Sequence, residues 1–131
     1  MSAAVASILD LQLDEVPNWV TDAFDEGKPH LWHERMGAWF SNRGLHLVSL
    51  KYAHFGDWRM LVGAYAIASM PSQRFADTTH AVICTWGKLE SGCHQIRIAH
   101  DPNPNNRQYD LDKEEPRYIY FVVPKQPRVC A

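Results

Sequence analysis

The stretch from His80-Ala81-Val82-Ile83-Cys84 through Gly92 to His100-Asp101-Pro102 decides how this chain is read. An apolar, β-branched run opened by a histidine predicts a strand. The turn signal at Ser91-Gly92 and the segment 95–99 predict a second strand returning beside it. In an antiparallel hairpin the start of the first strand lies next to the end of the second, so His80 and Asp101 fall within reach of each other. A carboxylate that holds an imidazole fixes its tautomer and orientation and stabilises its protonated form. Those are the requirements of a general base for a thiol or hydroxyl nucleophile. A satisfied His-Asp pair at a strand end, without catalytic role, gives the same spacing, and spacing alone does not choose between them.

Outward from the hairpin, helical periodicity comes first in the chain and strand periodicity afterwards. Val5, Ile8 and Leu9 in 3–11 are spaced for a short buried helix, and Pro17 ends or kinks any helix beyond it. Trp32, Met36, Trp39 and Phe40 share one face of a predicted helix over 29–42, stopped by Arg43-Gly44. After Gly44 the period changes, and strands are predicted over 45–50, 61–68, 80–86, 95–99 and 118–123. This order predicts an α+β fold with N-terminal helices packed on an antiparallel β-sheet. The 131 residues, 46% hydrophobic and 21% charged, fit one domain spanning 1–131.

Composition excludes several classes. A net charge of -2 without a Lys/Arg run gives no footprint for nucleic acid or an anionic membrane. No apolar run approaches the roughly 20 residues of a membrane span, and no signal-peptide pattern opens the chain, so a cytoplasmic protein is expected. Cys84, Cys93 and Cys130 do not form the even framework of a secreted disulfide scaffold and are expected to be reduced. No metal is expected. His30 and His33 lack a companion ligand at a convincing spacing, and His80, Cys84, Cys93, His94 and His100 contain no CxxC or HxxxH unit. No cofactor motif is found. Trp19, Trp32, Trp39, Trp58 and Trp86 are scattered in a way that reads as core and rim.

Ala3-Ala4-Val5-Ala6-Ser7-Ile8-Leu9, then Leu13-Asp14-Glu15-Val16-Pro17-Asn18-Trp19, resembles the opening of small phage and bacterial proteins related to the double-glycine leader peptidases of the papain-like superfamily. Trp39, Arg43-Gly44-Leu45, Tyr65-Ala66-Ile67-Ala68-Ser69, His80-Ala81-Val82, His100-Asp101-Pro102 and Tyr120-Phe121-Val122-Val123-Pro124 come next in the family order. The resemblance implies a papain-like fold and a peptide or protein substrate or partner. It also implies a histidine base (His80) oriented by the aspartate of the Asp-Pro turn (Asp101).

The family nucleophile is a cysteine at the start of the first helix, and by this alignment it would directly precede Met1. A late start to the reading frame, with Cys lying just upstream, is one expectation. Cys84, Cys93 and Cys130 do not fall at the nucleophile's place, and Ser2 reads ordinarily as a capping or terminal residue. Two functions are then open. One is a cysteine peptidase or amidohydrolase lineage, inert without its nucleophile. The other is a non-catalytic, phage-encoded binding protein, for example an inhibitor of a host defence system, that uses the retained cleft. Segments 70–79 and 102–112, the latter carrying Asn103, Asn105, Asn106 and Gln108, are expected to rim that cleft.

Overall fold

A computed structural model describes residues 1–54, 59–88, 91 and 94–126. Trp58, Gly92, Cys93 and Cys130 lie outside them. Among the described residues three α-helices, α1 (Ser2–Leu9), α2 (Trp19–Asp25) and α3 (Trp32–Asn42), precede five strands: β1 (Leu45–Lys51), β2 (Tyr65–Pro71), β3 (Thr79–Lys88), β4 (His94–His100) and β5 (Tyr118–Pro124). The strands form one antiparallel sheet in the order β1-β5-β2-β3-β4. The expected α+β arrangement of helices on an antiparallel sheet is therefore present.

Local chemistry explains the helix ends. α1 closes on Asp10, whose φ of 53° places it in the left-handed region, so that the N–H of Leu11 behind it turns back to the Ala6 carbonyl at 2.9 Å. Asn18 accepts from the Thr21 N–H and starts α2, a helix beyond Pro17 that the hydrophobic spacing does not announce. The expected 29–42 helix is a 3-10 turn over Pro29–Leu31 followed by α3, and Gly44, at φ 70°, turns the chain into β1.

Each sheet face has its own core. Ile67, Ala81, Ile83 and Tyr120 bury one face under Ala4, Val5 and Ala6 of α1, Trp19 of α2, and Met36 and Phe40 of α3. Ala66, Ala68, Met70, Val82, Cys84, Trp86, Ile96 and Ile119 bury the other, closed by Tyr109 and flanked by Tyr52, Leu61 and Leu111. Strand alternation accounts for this division: 67, 81 and 83 look one way, while 66, 68, 70, 82 and 84 look the other.

β2 corrects the expected strand over 61–68. Met60 and Val62 are exposed, Arg59–Leu61 is a 3-10 turn, and the buried run is 66–70. Covered on both faces, that run lacks alternation, so its frame is not readable from periodicity. Met70 and Pro71, expected in a rim loop, belong to β2.

Among the described residues no helix is long and apolar enough to cross a membrane.

Candidate active site

His80 and Asp101 meet. Nε2 of His80 lies 2.6 Å from Oδ1 of Asp101, with the two side chains 25% and 19% exposed. An ideal hairpin would not have brought them together. Cys84 pairs with Ile98, and continuing that register would pair Ala81 with Asp101 and aim the carboxylate at the helix-covered face. Instead Ile83 pairs with His100, so Ala99 is an extra residue in β4. This β-bulge reverses the parity of everything after it. His100 turns toward α1, where it lines a depression with Ala3, Ala6, Ser7 and Asp10, and Asp101 turns to the face of His80.

The loop after the bulge then secures the carboxylate. Oδ1 of Asp101 also accepts from the Asn103 backbone N–H at 2.9 Å, and Oδ2 accepts from Nδ2 of Asn106 at 3.0 Å. Asn103 in turn donates from its side-chain amide to Asn106 and accepts from the Asn105 N–H. Burial pushes the Asp101 carboxyl up, but the hydrogen bonds from His80, Asn103 and Asn106 outweigh it and hold the group below its usual range. An ionised carboxylate only accepts, so the His80 nitrogen facing it must be the N–H. In the neutral ring the basic lone pair then sits on Nδ1, which has no hydrogen-bond partner among the described residues. The sequence places Asn103 and Asn106 on the rim but does not announce their grip on Asp101. The Asp-x-Asn spacing of a side-chain-to-backbone turn is the signal that could have found it.

Two grooves meet at this strand end. His80 lines the smaller, about 340 Å³, with Ser72, Arg74, Phe75, Thr78 and Asn103. The expected rims are present on both sides, joined where Gln73 exchanges two hydrogen bonds with the Arg107 backbone (2.8 and 2.9 Å) and Tyr109 donates to Pro71. The larger groove, about 570 Å³, is reached by Met1 at the head of α1 together with Thr79 and Ala81, the neighbours of His80. The head of α1 thus lies on the sheet face of Thr79 and Ala81, whereas His80 shares the opposite face with Val82 and Cys84. Ser2 is committed elsewhere, donating to the Pro17 carbonyl at 2.7 Å. Cys84 is fully buried, and burial pushes its thiol up to about 12, so its thiolate fraction at neutral pH is on the order of 1 in 10⁵. It is a core residue. Of the other histidines considered, His33 stacks on Trp32 with ring centres 3.5 Å apart, and His30 is exposed.

The depressed Asp101 carboxyl makes the dyad's contribution to stability depend on pH. A carboxyl whose folded pKa lies below its unfolded value of about 3.9 stabilises the fold fully above that value and loses the effect as pH falls through the folded one. Asp101→Asn should therefore melt below wild type at pH 7, with the gap narrowing toward pH 2. Thermal melts across that range check it, and a gap that widened in acid would contradict the assignment.

What the fold and site define is an α+β domain with an oriented, partly exposed His-Asp dyad between two grooves. No family model, curated protein or solved structure matches the chain.

Proposed function

We propose that this is a domain of the papain-like cysteine hydrolase type, with His80 as general base and acid and Asp101 as the residue that orients it, acting on a peptide or protein. The observation that carries the reading is the dyad itself: a carboxylate held by three hydrogen bonds, an imidazole with Nδ1 unpartnered among the described residues, and a groove beside the ring. In such a site Nδ1 removes the proton of a thiol, and the thiolate attacks the amide carbonyl. The imidazolium returns the proton to the departing amine, and water, deprotonated by the same nitrogen, releases the acid from the thioester.

A second reading has its own support. Ser2 and Cys84 are both committed to structural contacts, and neither offers the dyad a nucleophile. A phage-encoded binding protein that recognises a peptide or host protein through the same cleft needs none.

A chain carrying one additional cysteine ahead of Met1 separates the two readings. If His80 is a base for a thiol at the head of α1, iodoacetamide should alkylate that cysteine at pH 7 at least about tenfold faster than in the same chain with His80→Ala. Hydrolysis of an activated ester should require both residues. Equal alkylation rates with and without His80 would contradict the hydrolase reading and favour binding.

A further inference from the structure

The groove of about 570 Å³ is within the ordinary size of a ligand site, and its lining combines aromatic walls with a cation. Trp32, stacked on His33, forms one wall, and Tyr118 and Tyr120, with ring centres 6.3 Å apart, form another. Arg117 lines the same space. Its backbone is fixed on both sides, its N–H donating to Ser69 at 2.8 Å and its carbonyl accepting from Tyr52 at 3.0 Å. Arg35 and Arg107 are ion-paired to Glu26 and Glu114, whereas the Arg117 guanidinium has no carboxylate partner among the described residues.

Among the described residues, the one carboxylate lining the groove is Asp77, in the loop that leads to β3. Repulsion by Asp77 directs an incoming carboxylate to Arg117. Thr78 and Thr79 line both this groove and the smaller one at His80, so the two adjoin at the start of β3.

We propose that this groove binds a peptide through a carboxylate placed on Arg117, with an adjacent aromatic or aliphatic side chain lying against Trp32, Tyr118 and Tyr120. The proposal rests on the reading of this chain as one that recognises a peptide or protein. The carboxylate could belong to an acidic side chain or to a C-terminus, and the chemistry at Arg117 is shared.

The test uses the full chain and four hexapeptides with a central Phe: Phe-Glu and Phe-Gln, each with a free or an amidated C-terminus. Titration is followed by amide shifts of Ser49, Ser69, Thr79 and Tyr118 and by Trp fluorescence. The expected result is about tenfold tighter binding of a carboxylate-bearing peptide than of its neutral counterpart. Arg117→Met should abolish that preference, while Tyr118→Ala weakens carboxylate-bearing and neutral peptides alike. Preference for Glu over Gln whatever the terminus identifies a side-chain carboxylate; preference for the free terminus whatever the side chain identifies a C-terminus. Equal binding of all four peptides, shifts confined to other surfaces, or a preference that survives Arg117→Met would overturn the proposal. Because His80 does not touch the carboxylate end, alkylation of the added cysteine reports on the dyad separately. Rapid alkylation with no peptide preference removes the groove assignment alone.

Discussion

Deleting Ala99 should remove the bulge and leave Asp101 facing His80. Ile98 pairs with Cys84 and His100 with Ile83, so Ala99 is the residue left over between them. Without it His100 follows Ile98 directly and keeps Ile83 as its partner, and Asp101 stays opposite Val82, on the face of His80, with the loop behind it unchanged in length. Ile96, buried, and Ile98, packed against the same core, hold β4 in register on the face of Cys84 and Trp86, so the rest of the strand does not slide. The side chain at 99 is exposed, so Ala99→Ser should be nearly neutral as well. The Asn103 and Asn106 hydrogen bonds re-form in the deletion variant, and its carboxyl should stay below the ordinary aspartate range. Carbon-detected titration of that carboxyl measures it. A deletion variant whose carboxyl returned to the ordinary range would mean that Ala99 is not the residue the bulge absorbs.

A large effect on stability belongs to Phe40. It is fully buried where α3 meets the sheet, stacked at 6.5 Å on Trp19 and edge-on to Trp39 at 5.2 Å. Phe40→Ala should cost about 3–5 kcal/mol, a large share of the roughly 5–15 kcal/mol that holds a typical domain together. Phe24→Ala on α2, 62% exposed, should change stability by less than about 0.5 kcal/mol. Urea unfolding of the pair tests whether the N-terminal helices belong to the same cooperative unit as the sheet. A small loss for Phe40→Ala would detach them.

The parts of this architecture that rest on local chemistry are legible in the chain. A histidine opening an apolar strand and an aspartate before a proline at the return of its hairpin already place the dyad at one strand end. The change from helical to strand spacing after Gly44 places helices before sheet. What stays hidden depends on contacts distant in sequence. β5 inserts between β1 and β2, an order that no periodicity encodes. β2 is buried on both faces and so lacks alternation. The bulge at Ala99 leaves no compositional mark, since the extra residue is an ordinary exposed alanine. Yet if that residue were paired in the ladder rather than bulged out, Asp101 would face away from His80. α2 is masked by Pro17, which reads as a stop although Asn18 caps a helix directly behind it.

The central claim is that Asp101 fixes His80 with its basic nitrogen free, and the tautomer of His80 tests it most directly. Long-range proton-nitrogen correlation of the imidazole, at a pH where the ring is neutral, distinguishes the two nitrogens. The account predicts a proton on Nε2 and a lone pair on Nδ1 in wild type, giving way to a tautomer mixture in Asp101→Ala. A proton on Nδ1 in wild type, or identical spectra for the two proteins, would contradict it.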